Sequence, residues 1–342
     1  MNTDLESTIL YKKALGCLLG GLIGDAMGTP TEGKDYRDIE QQFGWVDDFD
    51  CSGTDDTVMK HLLSEALIRS EGYATLDDWA QVWLDRWEAI FGPKVGKFFI
   101  SVLHTAHKLR LHAVPRMAAL GNMPSSSSAM CIAPVGIVNA CNPRQAAMQA
   151  YNLASLIHIH DVGFCQDGAA AIAAAVAAAF IPGATVDTVL ETATSAILKL
   201  SGKDMLARIE QLLALAREAA DYRAFRAATY AGAERYFCRI TCDSRETIPL
   251  ALAFFYLAEG DVEKSVCYAA NFGRDADTTG AMCGAMTGAL HGVGGIKDEW
   301  VHKVARYTSL SQETLAADLV KVTIDKSETE RAAWGALDSI SS

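Results

Sequence analysis

The sequence predicts an all-α fold made of a single domain, residues 1–342. Nearly every segment repeats its apolar residues at the three-to-four-residue spacing of a helix, and few alternate with the two-residue period of a half-buried strand. No linker or change of composition divides the chain, and the main loop-like run is NMPSSSS at 122–128. Although 342 residues is long for one domain, half of them are apolar, which is enough for one large core.

Taken in order, the helical segments number fourteen, each predicted from apolar residues at helical spacing. They cover residues 9–27, 57–70, 76–90, 94–111, 143–156, 166–180, 186–200, 204–218, 222–236, 246–258, 262–270, 278–291, 298–306 and 312–323. Six prolines fall mostly between these helices or in a first turn, where a missing N–H costs nothing. They are Pro115, Pro124, Pro134, Pro143, Pro182 and Pro249.

Two of the predicted helices carry glycine at every fourth position. These glycines are Gly16, Gly20, Gly24 and Gly28 in the first helix and Gly280, Gly284, Gly288 and Gly292 near the other end of the chain. Residues four apart share a helix face, so each helix has a face along which another backbone can approach closely. Because glycine inside a helix costs about 1 kcal/mol relative to alanine, we expect both helices to pack closely at the centre of the fold.

Composition excludes several classes of protein. A net charge of -12 argues against nucleic acid as the main partner. Nine scattered cysteines without paired CxxC motifs indicate neither a disulfide framework nor a zinc ribbon, so a reducing cytoplasm fits best. The apolar run 14–23 follows two lysines as a signal peptide would, but acids flank it and it is too short to span a bilayer. We therefore expect a cytoplasmic protein with no membrane partner.

Two remote stretches each place two carboxylates and a threonine at the start of a predicted helix. SGTDDTVMK, residues 52–60, and NFGRDADTTG, residues 271–280, supply Thr54, Asp55, Asp56, Asp275, Asp277 and Thr278. Either stretch could be a helix N-cap with first-turn acids favoured by the helix dipole. A single N-cap does not require two carboxylates and a hydroxyl. For the second stretch, a functional site is therefore as good an interpretation as a helix cap.

If the two glycine-rich helices are central and the two acidic stretches meet, four carboxylates converge. Four like charges cannot share a small volume without protons or cations. Oxygen ligands without cysteine or histidine suit Mg²⁺, Mn²⁺ or Ca²⁺ better than zinc, which predicts a binuclear metal site. A third stretch, GDAMGTPTEG, ends in Glu32, which is either a solvated loop acid or, beside metals, a candidate for activating water.

Three ordered motifs resemble the ADP-ribosylglycohydrolase family, which includes the dinitrogenase-reductase-activating glycohydrolases and the J1 crystallins. They are GCLLGGLIGDAMGTPTEG, GTDDTVM and GRDADTTGAMCGAMTGALHG, and the likeness spans about residues 10–295. The resemblance implies an all-α fold around two Mg²⁺ or Mn²⁺ ions. It also implies the metal ligands Thr54, Asp55, Asp56, Asp275, Asp277 and Thr278, and a catalytic role for Glu32.

The chemistry implied by this family is hydrolysis at the anomeric carbon of a ribosyl group. Cations hold the ribose hydroxyls and orient a water, and a carboxylate stabilises the oxocarbenium character that develops as the aglycone leaves. We assign the general base to Glu32 and a share in positioning the water to Asp56. The expected substrate is an ADP-ribosyl or related ribosyl group, free or carried on a modified protein.

Two loops depart from the family pattern. In PSSSSAMCIAPVG, Ser126 and Ser127 stand where the family often has Asn-Gly, and Cys131 stands where it has an arginine. We take Ser126, Ser127, Ser128 and Met130 of this loop as substrate-binding candidates. In HIHDVGFCQDG the candidates are His158, His160 and Asp161, whose role is either structural or in substrate contact.

Arg274 stands where the family usually has glycine before the first aspartate of the second acidic motif. Its guanidinium either pairs with an acid or binds an anionic part of the substrate. These departures make a nucleoside or N-ribosyl hydrolase an alternative to an ADP-ribosyl hydrolase, since a nucleoside needs no diphosphate contacts. A structural protein related to the crystallins is a third possibility, which the complete set of predicted ligands disfavours.

Overall fold

A computed structural model describes residues 5–341, and over that range the chain forms nineteen α-helices, five short 3₁₀ turns and no strand. The helices are α1 (Ile9–Gly28), α2 (Tyr36–Phe43), α3 (Asp55–Arg69), α4 (Leu76–Asp85), α5 (Trp87–Phe91), α6 (Ile100–Arg110), α7 (Pro115–Ala118), α8 (Ala133–Val138), α9 (Pro143–Ala154), α10 (Phe164–Ala179), α11 (Val186–Ser195), α12 (Lys203–Glu218), α13 (Tyr222–Ala231), α14 (Ala233–Tyr236), α15 (Ser244–Leu257), α16 (Val262–Phe272), α17 (Ala276–His291), α18 (Asp298–Tyr307) and α19 (Gln312–Ile340). The all-α prediction is confirmed.

The predicted helices all occur, with differences at their ends. The segment 76–90 divides into α4 and α5 at Arg86, and 222–236 divides into α13 and α14 at Gly232, because neither residue has helical dihedrals. The short helices α2, α7 and α8 were not predicted, since each is less than three turns long and carries little periodic signal. The largest difference is α19, which continues from its predicted end at residue 323 to Ile340.

Pro249 is an exception to the rule that the prolines lie between helices or in first turns. Asp243 caps α15 by accepting a hydrogen bond from the amide of Arg245, so the helix starts at Ser244, two residues before its predicted start. Pro249 is therefore an interior residue of α15, where it removes one backbone donor.

The centre of the fold is the antiparallel pair α1 and α17, which pack along their glycine faces. A methyl group added to Gly20 would overlap the carbonyl of Gly284, and one on Gly24 would overlap the carbonyl of Gly280. α1 is buried without a break from Ala14 to Gly28, and α17 from Ala276 to Ala289. The predicted close approach of these two helices is confirmed, and it places the end of α1 beside the start of α17.

The remaining helices enclose this pair in one apolar core. α16 lies against both central helices, and the alanine-rich α10 is buried from Cys165 to Ala179 between α9, α8 and α17. Within residues 5–341, no helix has both the length and the hydropathy that a membrane-spanning segment requires.

Candidate functional site

A loop from each central helix is joined to the other by backbone hydrogen bonds. After α1, the turn Thr29–Thr31 leads to Glu32. The amide of Gly33 donates to the carbonyl of Arg274 at 2.7 Å, and the amide of Arg274 donates to the carbonyl of Lys34 at 3.0 Å. Gly273, with φ +82°, lies so close to the carbonyl of Lys34 that a side chain would overlap it. These bonds place Glu32 beside the start of α17.

Asp25 of α1 brings the third element, α3, to the same place. Its fully buried carboxylate accepts hydrogen bonds from the amide and hydroxyl of Thr54 at 2.8 to 2.9 Å. It accepts two more from the amide of Thr57 at 3.0 Å and its hydroxyl at 2.6 Å. Asp25 therefore caps the N-terminus of α3 from a neighbouring helix, and it fixes the backbone from which Asp55 and Asp56 project.

The predicted acidic residues do converge. Glu32, Asp275 and Asp277 each offer an oxygen within 4.8 Å of the others. Asp55 and Asp56 lie near enough for their charges to act on this group. We refer to these five residues as the acid cluster. The four aspartates are each no more than 6% exposed, whereas Glu32 is exposed at the mouth. Thr54 and Thr278 are buried beside them at 1% and 4% exposure.

Burial and mutual repulsion raise the pKa values of these aspartates. Burial raises the pKa of Asp55 to about 8, with a further rise from the charges of Asp25 and Asp275. Burial, with the charge of Glu32, raises the pKa of Asp275 to about 7. The pKa values of Asp56 and Asp277 are raised well above their ordinary value for the same two reasons. At neutral pH the cluster therefore requires protons or cations.

This electrostatic arrangement predicts an unusual dependence of stability on pH. A carboxyl group with a higher pKa in the folded state binds more protons when folded, so the free energy of unfolding falls as the pH rises from the ordinary value of 3.8 towards 8. In EDTA, we expect a lower melting temperature at pH 8 than at pH 5.5, measured by circular dichroism. Asp275→Asn should reduce this slope. A melting temperature that rises across this range would contradict the assigned electrostatics.

Three lysines that the sequence analysis did not select contribute positive charge. Lys97 pairs with Glu32 at 2.7 Å, and Lys94 donates to the carbonyl of Gly53 at 2.6 Å, just before α3. Lys60 is 3% exposed, donates to the carbonyl of Leu18 at 3.0 Å, and lies close enough to Asp25 and Asp56 to feel their charges. Burial lowers the pKa of Lys60 to about 8, although the charge of Asp25 opposes this shift.

Residues 124–131, which we call the serine loop, contact the acid cluster through the side chain of Ser126. The hydroxyl of Ser126 donates to the Oδ2 of Asp275 at 3.1 Å. Ser127 accepts from Ser125 at 2.9 Å, and Met130 is 5% exposed. The hydroxyls of Ser125 and Ser128 form hydrogen bonds of 2.9 Å with the two ring nitrogens of His158. Ser126 thus lies at the site, whereas the buried Ser128 serves the internal packing of the loop.

The other substrate candidates make no hydrogen bond or ion pair with the acid cluster within residues 5–341. His158 is fully buried, and burial lowers its pKa to about 3, so it is a neutral partner of the two serine hydroxyls, which favours the structural interpretation of this residue. His160 and Asp161 lie at the surface, where they face each other at 3.5 Å. Substrate contact by these two residues stays a prediction.

Arg274 adopts the salt bridge that was one of its two expected roles. Its Nε and Nη2 atoms donate to the two carboxylate oxygens of the buried Glu246 at 2.7 and 2.8 Å, and Nη2 also donates to the carbonyl of Cys238 at 3.0 Å. The N–H groups of Nε and Nη2 are thus taken up by protein acceptors, and the carboxylate of Glu246 offsets the positive charge of the guanidinium. Cys131, which stands where the family has an arginine, is buried and donates to the carbonyl of Ser127.

The donor set suits hard divalent cations. Every side chain that converges here offers oxygen, which Mg²⁺ and Mn²⁺ prefer. The buried Oδ1 of Asp56 has no hydrogen-bond partner, and such an atom is costly unless something else satisfies it. A cation bound among these carboxylates would supply that partner and offset their repulsion.

Comparisons with known proteins identify the family and the fold. A family model described as ADP-ribosylglycohydrolase matches residues 6–329. The uncharacterized protein YegU of Escherichia coli K12 is 28% identical, over 83% of this chain and 89% of its own. An uncharacterized protein of Archaeoglobus fulgidus is 30% identical, over 82% of this chain and 88% of its own. The solved structure of an ADP-ribosylglycohydrolase-related protein complex has the same fold, with a TM-score of 0.68 and 20% identity over 92% of this chain and 99% of that one.

Proposed function

Because the chain belongs to the ADP-ribosylglycohydrolase family, we propose that it hydrolyses the glycosidic bond at the anomeric carbon of an ADP-ribosyl or related ribosyl substrate, with two Mg²⁺ or Mn²⁺ ions. The observation that carries this proposal is the convergence of Glu32, Asp55, Asp56, Asp275 and Asp277 from three separate stretches into one mostly buried cluster. A merely structural protein gains nothing from such a cluster, since its repulsion opposes folding.

The residues that would hold the cations are Thr54, Asp55, Asp56, Asp275, Asp277 and Thr278. When bound, the cations would hold the ribose hydroxyls in register and supply positive charge to orient a water molecule. Ser126 keeps one oxygen of Asp275 in a fixed direction through its 3.1 Å hydrogen bond. Asp25 does the same for the start of α3 through Thr54 and Thr57.

Glu32 is suited to remove the proton from the attacking water. It lies at the solvent-exposed mouth of the cluster, and its Oε2 accepts a hydrogen bond from Lys97, which fixes the direction of the carboxylate. Asp56 has a buried oxygen without a partner, and it would share in positioning the water. A carboxylate beside the anomeric carbon then stabilises the positive charge that develops as the aglycone departs.

The distal part of the site favours a second candidate, hydrolysis of a nucleoside or another small N-ribosyl compound. Arg274 pairs with Glu246 through its Nε and Nη2 atoms, and Cys131 offers a buried thiol where the family often has an arginine. This part of the site therefore presents less uncompensated positive charge to a diphosphate, which ADP-ribosyl substrates contain and nucleosides lack. The bond cleaved and the roles of Glu32 and the acid cluster would be the same.

A substrate panel separates these candidates. The purified protein with Mg²⁺ or Mn²⁺ is incubated with ADP-ribosyl-arginine, ADP-ribosyl-serine, ADP-ribose derivatives and nucleosides, and the released ribose species are detected by chromatography. We expect hydrolysis of at least one class, and loss of about 10² to 10⁴ in rate for Glu32→Gln because a general base contributes that much. Cleavage of nucleosides alone would select the second candidate. No turnover with any substrate despite bound metal would overturn the proposal in favour of a structural protein.

A further inference from the structure

The last three turns of α19 lack the packing that supports the rest of this helix. Lys326, which is 4% exposed, is the last residue of α19 buried against the fold, and it donates to the side chain of Asn139 at 2.7 Å. Every side chain from Arg331 to Ser341 is exposed. That segment extends for about 15 Å at 1.5 Å per residue. Helices this short are marginal in water unless another surface covers them.

One face of this segment is apolar. Ala333, Trp334, Leu337 and Ile340 follow one another at spacings of one, three and three residues, so they share a face, which we call the α19 stripe. Trp334 is 65% exposed and Ile340 is 81% exposed. An exposed indole within an apolar face is typical of an interaction surface, unlike the singly scattered leucines of an ordinary surface. Asp338 lies at the edge of the stripe, and the segment 327–341 as a whole carries three acids against the single base Arg331.

A second exposed apolar surface lies around α6 and α7. It consists of Ile100, Leu111, Val114, Met117 and Met123, which we call the α6–α7 patch; their exposed fractions lie between 44% and 80%. Although the chain carries a net charge of -12, no aspartate or glutamate occurs between Glu88 and Asp161. The segment that forms the patch, residues 100–123, is therefore basic, and Arg110 and Arg116 are exposed in it.

A cavity opens within this second surface. Its volume is about 490 Å³, and its lining is almost entirely apolar, from Phe91, Ile100, Leu103, His107 and Met123 among others. This space is large enough for an indole ring. Tryptophan side chains in pockets of this kind often dominate the binding energy of protein interfaces.

We propose that two copies of this chain exchange these elements, so that the α19 stripe of each copy docks on the α6–α7 patch of the other with Trp334 in the cavity. Charge complementarity favours this partner, because the end of α19 carries a net negative charge whereas residues 100–123 carry Lys108, Arg110 and Arg116 and no acid. A single short helix buries too little area for a stable complex. Two reciprocal contacts about a twofold axis bring the total towards the roughly 1,200 to 2,000 Å² of specific interfaces.

Sedimentation velocity from 1 to 100 µM tests this exchange, with circular dichroism to verify the fold of each variant. We expect the full chain to dimerise and Trp334→Ala to raise the dissociation constant by roughly thirty-fold or more, as for a hot-spot residue. Leu200→Ala, which removes a side chain that is 95% exposed outside both surfaces, should leave the dissociation constant unchanged.

Charge reversal identifies the surface that the stripe contacts. Glu328→Lys with Asp338→Lys should weaken the dimer, as should Arg110→Glu with Arg116→Glu, and mixing the two double variants at equal concentration should restore both contacts, because each then pairs opposite charges. A monomer at 100 µM, a dimer that survives Trp334→Ala, or a dimer indifferent to the arginine reversal would each overturn the proposal. Because none of these residues belongs to the acid cluster, these outcomes are independent of the proposed hydrolase activity.

Discussion

Replacing Asp275 by asparagine is expected to abolish metal binding and hydrolysis together while making the metal-free protein more stable. The amide keeps the shape of the side chain and can still accept a hydrogen bond from Ser126. It removes one negative charge from a cluster in which Glu32, Asp55 and Asp277 repel it. Loss of a metal ligand at the reacting centre should lower kcat/KM by at least about a thousand-fold.

Two measurements on Asp275→Asn distinguish loss of a site from loss of the fold. Isothermal titration with Mn²⁺ should show no binding, and thermal unfolding in EDTA should give a melting temperature at or above that of the unmodified protein. Asp325→Asn, at an exposed position of α19, serves as the matched control and should change neither. Retained turnover in Asp275→Asn would rule out the acid cluster as the catalytic centre. A lower melting temperature in EDTA would mean that Asp275 stabilises the fold.

The central geometry of the site was predictable from sequence because the spacing of the glycines determines how α1 and α17 pack. Glycine at every fourth residue of two helices has few uses other than close packing, and once α1 and α17 are paired, the acids at their ends must approach one another. This approach also requires the two helices to run antiparallel, which the glycine spacing does not specify, because a parallel pair would place the end of α1 beside the end of α17. The position of Glu32 beside Asp275 follows from backbone hydrogen bonds across Gly33 and Arg274, which no pattern of residue types reveals.

Asp25 shows where sequence reasoning did not reach. It lies inside a buried apolar helix, directly after Gly24, and a carboxylate there had to have partners. That signal was present, but the partners, Thr54 and Thr57, are far along the chain and belong to a helix that could have capped itself. Lys60 is a similar case, because a lysine four residues after Asp56 reads equally well as a solvated helix face.

The distal residues could not be assigned because their roles depend on side chains brought together by folding. A histidine in HIHD is compatible with either a ligand contact or burial, and only the position of Ser125 and Ser128 decides that His158 is enclosed. The sequence leaves two roles open for Arg274, and the hydrogen bonds from its Nε and Nη2 atoms to Glu246 of α15 show that it pairs with an acid. Local patterns identify the chemical groups, and the tertiary contacts decide which of them face solvent.

Replacing Gly20 by alanine is expected to cause a large loss of stability, because the methyl group meets backbone. Its added carbon would overlap the carbonyl oxygen of Gly284 and approach the carbonyl carbon at 2.9 Å. Neither atom can rotate away as a side chain could, so α1 and α17 would have to separate along their length. We expect the free energy of unfolding to fall by about 3 kcal/mol or more, measured by urea denaturation.

The matched control is Gly335→Ala, which makes the same change in α19 where an added carbon meets no atom within 4 Å. There the better helix propensity of alanine should act alone and stabilise the helix by up to about 1 kcal/mol. The two variants differ in what faces the new methyl group, so the difference between their changes in the free energy of unfolding measures the effect of the backbone contact. If Gly20→Ala matched Gly335→Ala, the two central helices would not be in contact, and the acidic loops at their ends would have no reason to form one site.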